Sequence, residues 1–204
     1  MMRFWDILHS WDQAVTLLIN SVHCPATDSF WMFFSDRSVW FPLYAAVAFF
    51  LVKRLGWRNG LISIAAVALT LVACDQTSNL LKYSVARLRP CYSEPMISGG
   101  LNMLEYRGSW FGFFSAHAAN SFGFALCTSM CFRHDSRHTC RAYTTGILIW
   151  AVLVSISRIF VGKHYLGDIT AGALIGSFYG ILFAMSARWL FSRFNAERTP
   201  KAKE

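Results

Sequence analysis

Seven residues stand out for the chemistry their types and spacing allow. Lys82, Arg89 and Arg158 are cations, Ser115 is a helix-capping type, His117 and His164 can carry protons or attack electrophiles, and Asp168 can steer an imidazole. They fall in three clusters. The first is 75–90, DQTSNLLKYSVARLRP. Seven residues are nearly two helical turns, so Asp75, Lys82 and Arg89 drift only about 20° per step and are expected on one helix face, with Asn79 beside them. Pro90 is expected to end that helix. Two cations in register suit an anion that both can touch; a plainer reading is that they snorkel to the membrane surface.

The second cluster is Phe114-Ser115-Ala116-His117-Ala118-Ala119-Asn120. Ser is a preferred N-cap, and the small residues after it leave backbone N–H groups open at the positive end of a helix, which is an anion site. His117 sits in that first turn, either meeting the same ligand or incidental to a capping Ser. The third cluster runs from Ser157-Arg158 through Lys163-His164 to Asp168. His164 and Asp168 are four apart and are expected to face each other on a helical turn. A carboxylate on one imidazole nitrogen sets the tautomer and makes the other nitrogen more basic; the alternative is a structural contact at a helix start. If the clusters meet, cations and a helix N-terminus surround a dianion with two histidines at hand, which is what phosphoryl transfer requires.

The elements that must position them are membrane helices. Of 204 residues, 55% are hydrophobic and 15% charged, which excludes a disordered chain. Gly and Pro show no three-residue period, and six Cys are too few for a disulfide scaffold. Hydrophobicity gathers in five blocks, 39–52, 61–74, 111–132, 142–156 and 169–191. A span takes about 20 mainly apolar residues, a length the last block reaches cleanly and the others reach with polar flanks. Five such blocks leave too little polar sequence to coat a soluble helical protein. The expected fold is all-α, a polytopic transmembrane bundle of about five spans plus an N-terminal interfacial helix, or six spans, forming one domain over 1–204. Residues 1–24 space Trp5, Leu8, Trp11, Val15, Leu18 and Ile19 at three- and four-residue intervals, the pattern of a helix lying in the headgroup layer. They lack a signal peptide's continuous apolar core, so no cleavage is expected.

Block parity brings the clusters together. Block two ends on one face, block three begins there, block four ends there and block five begins there. Lys53, Arg54, Arg58, Arg133, Arg137, Arg141, Arg188, Arg193, Arg198, Lys201 and Lys203 fall on the opposite, cytoplasmic side, with 197–204 a solvated tail. The remaining cations, Arg3, Arg37, Lys82, Arg87, Arg89, Arg107, Arg158 and Lys163, lie on the cluster side, enough to suggest a use there. The net charge of +8 is split between two faces, so anionic lipid suits it and a nucleic-acid partner does not. Gly172, Gly176 and Gly180 recur every four residues on block five, a face that permits close helix contact. The Cys residues show no zinc-type spacing, and no acidic cluster resembles a two-metal site. A Cys24–Cys91 disulfide is an open pairing, both residues being placed on the oxidising side.

The motifs resemble those of the type 2 phosphatidic acid phosphatase superfamily. Lys82, six residues, then Arg89-Pro90 is similar to its first motif. Ser157-Arg158, His164 and Asp168 are similar to its third. Phe114-Ser115-Ala116-His117 stands where the family usually has Pro-Ser-Gly-His, keeping Ser and His. The resemblance implies a phosphatase without metal or cofactor. His164 is then the nucleophile forming a phosphohistidine, Asp168 its orienting group and His117 the acid and later base. Lys82, Arg89, Arg158, Ser115 and the Ala116 and His117 amides hold phosphate. It further implies a phosphorylated membrane lipid as substrate, in a bacterial inner membrane with the site facing the periplasm. The stretch Arg89-Pro90-Cys91-Tyr92 with 114–120 is similar to members acting on lipid A at the 4′ position. Undecaprenyl diphosphate and phosphatidylglycerophosphate remain open, as do transfer to an acceptor lipid, non-catalytic lipid binding or transport, and the oligomeric state.

Overall fold

The computed structural model describes residues 4–135 and 139–196. The placements expected for Arg3, Arg137, Arg198, Lys201 and Lys203, and the tail 197–204, lie outside them. The described chain runs α1 (Phe4–Asn20), α2 (Pro25–Ser35), α3 (Phe41–Val85), α4 (Glu94–Ser98), α5 (Ala116–Phe132), α6 (Arg141–Phe160) and α7 (Leu166–Ala196). Among the described residues the one departure from helix and loop is an isolated antiparallel bridge between Leu88 and Phe111. Three helical stretches are long and apolar enough to cross a membrane: 38–85, α6 and α7.

The 45 residues of α3 are one continuous helix only in name, because Gly56 at φ 80°, ψ 161° turns the chain back on itself. A Cβ on Gly60 would lie 2.6 Å from Val52 Cα, a proximity that eight residues of straight helix cannot produce. Trp40 and Phe41 line the same cavity as Asp75, so the arms 41–55 and 57–85 run antiparallel. They correspond to the first two hydrophobic blocks, and Gly is the residue that can adopt the positive φ between them. Blocks three, four and five become α5, α6 and α7. The chain is an all-α polytopic membrane bundle. Phe49, Leu69, Leu80, Leu174, Phe178 and Trp189 stay exposed, as suits a surface solvated by lipid.

With lipid outside, helix association depends on close van der Waals fit rather than on expulsion of water, and that favours small residues at the contact. The glycine face of α7 meets α5. A Cβ on Gly172 would stand 2.5 Å from the Ser115 carbonyl oxygen, and one on Gly180 2.6 Å from that of Gly123. At Gly176 it would run into the Ala119 backbone, with Cα at 2.7 Å. The expected neighbour is thus α5, and the glycines bring the start of α5 against the start of α7. At the other end of the bundle Arg54 pairs with Asp135 at 3.1 Å.

Three expectations need correction. The helix carrying Asp75 and Lys82 does not continue to Arg89. It stops at Val85, where Ala86 turns left-handed (φ 49°) and its N–H closes on the Lys82 carbonyl. Arg89, preceding Pro90, is extended at ψ 156°, the conformation proline imposes on its predecessor. Second, His164 and Asp168 do not share a helical turn, because His164 precedes α7. Third, Cys24 and Cys91 are both free, Cys24 exposed at the start of α2 and Cys91 buried. Residues 25–35, in no hydrophobic block and given no element from sequence, form α2, which packs on α6 with Trp31 stacked on Phe160 at 4.1 Å.

The helix α1 lies across the ends of α6 and α7. Its polar residues turn inward: Thr16 Oγ1 accepts from Leu166 N–H (3.0 Å), and Asn20 Nδ2 donates to the last carbonyls of α6, Ile159 (2.9 Å) and Phe160 (3.2 Å). Its apolar residues Trp5, Leu8, Trp11 and Leu18 remain exposed.

Candidate active site

All three clusters arrive at the same end of the bundle. After α3 the chain doubles back, pairing residues 87–89 with 110–112: Arg89 N–H donates to Trp110 O and Gly112 N–H to Arg87 O, both at 2.9 Å. That pairing suspends the Arg89 side chain, whose Nε donates to Phe111 O (3.2 Å) and Nη2 to Ser109 Oγ (2.9 Å). Gly112 is the point of convergence. A Cβ there would meet Arg89 Cγ at 2.9 Å, His164 Nδ1 at 3.5 Å and Asp168 Oδ2 at 3.6 Å.

Ser115 caps α5 as its type predicts, its Oγ accepting from Ala118 N–H at 3.4 Å. Helix geometry leaves the N–H groups of Ala116 and His117 without intrahelical acceptors. Ser115 N–H itself donates to the Asp168 carbonyl at 3.1 Å, so the second and third clusters are joined through the backbone. Asp75, at the head of the first cluster, accepts from Asn120 Nδ2 at 2.9 Å.

His164 is buried in the loop between α6 and α7. Burial, followed by the charges of Arg89, Arg158 and Lys82, holds its imidazole well below the ordinary histidine value. That favours the neutral ring, for which the 3.5 Å approach from Nδ1 to Asp168 Oδ2 is a polar contact rather than an ion pair. That nitrogen completes no hydrogen bond as it stands. The Asp168 carboxylate accepts elsewhere, Oδ2 from Tyr165 N–H (3.1 Å) and Oδ1 from Arg87 Nη1 (2.7 Å).

Of the residues expected from sequence, Arg89, Ser115, His164 and Asp168 are joined by direct neighbours around Gly112. The Lys82 side chain makes no hydrogen bond or ion pair with them and is linked only by the effect of its charge on His164, and Ala116 opens the helix behind Ser115. Arg158 and His117 line one cavity of about 640 Å³ with Ser35, Asp36, Arg37 and Glu105. There Arg158 is gripped by Glu105, Nη1 to Oε1 at 2.9 Å and Nη2 to Oε2 at 3.2 Å, and also donates to Ser35 Oγ. Arg37 Nε donates to His117 Nε2 at 3.2 Å. Lys163 donates to the Tyr106 and Arg107 carbonyls, fastening the loop that carries Glu105.

Arg37, Arg87, Glu105 and Asp12 are the residues that sequence reasoning did not assign. Arg37 and Arg87 carried one signal, the surplus of cations on the cluster side. Asp12 carried another, its four-residue spacing from Thr16 and Asn20. Glu105 carried none. Among the described residues no group of three or more His, Cys, Asp or Glu gathers in a way that suits a metal ion.

The family model of the PAP2 superfamily matches residues 59–192, the interval that holds all the expected site residues. A Bacteroides thetaiotaomicron protein named lipid A 4′-phosphatase is 37% identical over 94% of this chain and 84% of its own. A Porphyromonas gingivalis protein of the same name is 34% identical over 85% of this chain and 74% of its own. Two crystal structures share the fold. A transmembrane PAP2-type phosphatidylglycerolphosphate phosphatase from Bacillus subtilis has a TM-score of 0.68 at 18% identity, covering 97% of this chain and 90% of that one. Aquifex aeolicus LpxE has a TM-score of 0.59 at 24% identity, covering 83% and 92%. The chain belongs to the PAP2 superfamily and is a membrane lipid phosphatase.

Proposed function

We propose that this protein removes the 4′-phosphate of lipid A through a phosphohistidine on His164, at the outer face of a bacterial inner membrane. The substrate rests on one observation above the rest: both lipid A 4′-phosphatases match it at more than 30% identity across most of their length. The chemistry rests on His164, neutral in a ring of cations and near a buried carboxylate.

In this reading the phosphate docks against Lys82, Arg89, Arg158, the Ser115 hydroxyl and the first amides of α5. Those donors neutralise charge on the non-bridging oxygens as the transition state forms. His164 Nε2 attacks phosphorus and the P–O bond to the sugar breaks. His117, which takes up a proton when the bound phosphate dianion draws Arg37 off its ring, gives that proton to the departing oxygen. Water then attacks the phosphohistidine, His117 takes its proton, the N–P bond breaks and inorganic phosphate leaves with His164 neutral again. Asp168 steadies the imidazole while it carries positive charge. Glu105, which holds Arg158 in two-point contact, yields that guanidinium to the incoming phosphate, an exchange of one pair of anionic oxygens for another. We read the helices as one domain with α1 in the headgroup layer, which leaves the pocket within reach of a lipid still seated in its leaflet.

The test is phosphate release by purified enzyme offered lipid A, undecaprenyl diphosphate and phosphatidylglycerophosphate in parallel, with native chain and His164→Ala. Lipid A is expected to be the best substrate, cleaved at the 4′ position, and His164→Ala to lose nearly all turnover. A preference for either other lipid refutes the substrate, and retained turnover in the variant refutes the nucleophile. Phosphate appearing on an acceptor lipid instead of in water would refute hydrolysis.

A further inference from the structure

The N-terminal helix contributes to the catalytic end of the bundle more than packing. Asp12, Thr16 and Asn20 form a stripe at four-residue spacing on α1, and each satisfies a backbone group on one side or the other of the loop carrying His164. Asn20 takes the last carbonyls of α6, Thr16 takes Leu166 N–H, and Asp12 Oδ1 takes Gly167 N–H at 2.8 Å. Together with Asp168 Oδ2 on Tyr165 N–H, three successive amides at the start of α7 have side-chain acceptors. Open amides at that helix start are orphaned donors unless something outside the helix takes them. Gly167 is required for the arrangement, since a Cβ there would stand 2.7 Å from Asp12 Oδ2.

Arg87 ties this stripe to Asp168. Its Nη2 donates to Asp12 Oδ2 at 2.6 Å and its Nη1 to Asp168 Oδ1 at 2.7 Å. His9 Nδ1 lies 3.1 Å from Nη2, and the guanidinium carbon sits 4.1 Å from the centre of the Tyr165 ring. Two carboxylates occupy the fork and an aromatic ring covers its face, so Arg87 is not disposed like Arg89 and Arg158 to take a phosphate. With Oδ1 held by Arg87, the Asp168 carboxylate cannot rotate, and Oδ2 stays directed at Tyr165 N–H and at His164 Nδ1.

We propose that Arg87 and Asp12 are positioning residues for the His164–Asp168 pair, with the N-terminal helix delivering half of the clamp. The proposal rests on His164 being the nucleophile. Its mode of action is indirect: neither residue touches substrate, and both act through the orientation and charge of Asp168. A clamp of this kind affects the step in which His164 gains positive charge and leaves the docking of the lipid alone. A carboxylate that steers an imidazole is worth up to about 10⁴-fold in turnover, and loosening it costs part of that.

The experiment measures kcat and KM on lipid A in mixed micelles for Arg87→Gln, Asp12→Asn and Asp168→Asn, and for each of the first two combined with the third. Thermal unfolding of every variant is followed in the same detergent. Arg87→Gln is expected to lower kcat about 10–100-fold and Asp12→Asn about 5–10-fold, with KM within about threefold of native. Added to Asp168→Asn, either is expected to cost less than about threefold more, because the group they act through is already gone. Should Arg87→Gln fail to fold, Asp12→Asn, which keeps the shape of the side chain, carries the test alone. A rise in KM with native kcat assigns Arg87 to substrate and overturns the clamp, as do losses that multiply in the Asp168→Asn background. If His164→Ala is inactive while Arg87→Gln and Asp12→Asn keep native kcat, the clamp falls and the nucleophile stands. If His164→Ala turns over, both fall together.

Discussion

Gly172→Ala tests whether the fit of α7 on α5 sets the geometry of the site. The new methyl would stand 2.5 Å from the Ser115 carbonyl oxygen, 3.2 Å from Ala118 Cβ and 3.3 Å from Ala119 N, where ordinary contact begins at 3.4 Å. The obstacle is backbone on both sides, so no side chain can swing away, and the helix starts must part by about 1 Å. The Ser115 N–H to Asp168 carbonyl bond, 3.1 Å long, then opens to about 4 Å and is lost. Overpacking costs about 1–3 kcal/mol, offset by about 1 kcal/mol because Ala favours helix over Gly. The net stability loss is therefore about 0–2 kcal/mol and the protein still folds. The catalytic loss is larger, since misplacing reacting groups by about 1 Å costs on the order of 100-fold. Gly180→Ala is the control. It meets Gly123 backbone at 2.6 Å, an equal insult, but about 12 Å further along the helix. Phosphate release and thermal unfolding on the two variants decide the matter. Comparable shifts in Tm, about 100-fold lower turnover for Gly172→Ala and less than tenfold for Gly180→Ala are expected. Turnover of Gly172→Ala within about threefold of native, or equal losses in the two, would refute the reasoning.

Other outcomes follow from the same geometry. Because His164 is held below its ordinary value by burial and by Arg89, Arg158 and Lys82, it binds fewer protons folded than unfolded as pH falls below about 6.5. Its contribution to stability is therefore present above that pH and lost progressively on acidification, read as a native-minus-His164→Ala difference in Tm that shrinks; a difference that grew between pH 6.5 and 5 would contradict it. The same neutrality predicts that the acidic limb of kcat/KM is displaced well below the pH at which an ordinary histidine titrates, once ionisation of the substrate phosphate is corrected for. Asn20→Leu removes the donor serving the Ile159 and Phe160 carbonyls and the acceptor of Asn102 N–H, at a cost of about 2–4 kcal/mol, read by thermal unfolding. Exhaustive EDTA treatment is expected to leave turnover unchanged if the phosphohistidine route holds, and restoration of a lost activity by a divalent cation would count against that route.

Much of the candidate site is legible in the linear chain because its signals are local. Lys82 and Arg89 both lie just ahead of Pro90, Ser115 precedes a run of small residues that suits a helix start, and Ser157-Arg158, His164 and Asp168 fall within a dozen consecutive positions. Block parity then places these stretches on one membrane face without any coordinates, since successive spans must alternate in direction. The glycine repeat of α7 is equally readable as a contact face, although not as a contact with α5.

What the sequence by itself determined is the list of candidate groups and that they gather at one end of the bundle; tertiary structure decided which groups face which. Arg87 finds Asp168 across 81 positions and Asp12 across 75, and Arg37 finds His117 across 80. No periodicity links such pairs, because their encounter depends on where each helix stops and how the chain turns afterwards. Ala86 is the instructive residue: had the helix continued as its heptad spacing suggested, Arg87 and Arg89 would project from α3 at the angles a helix imposes. The left-handed turn at Ala86 and the extended backbone before Pro90 instead lay 87–89 alongside 110–112, and that pairing gives Arg89 to the histidine and Arg87 to the carboxylate behind it.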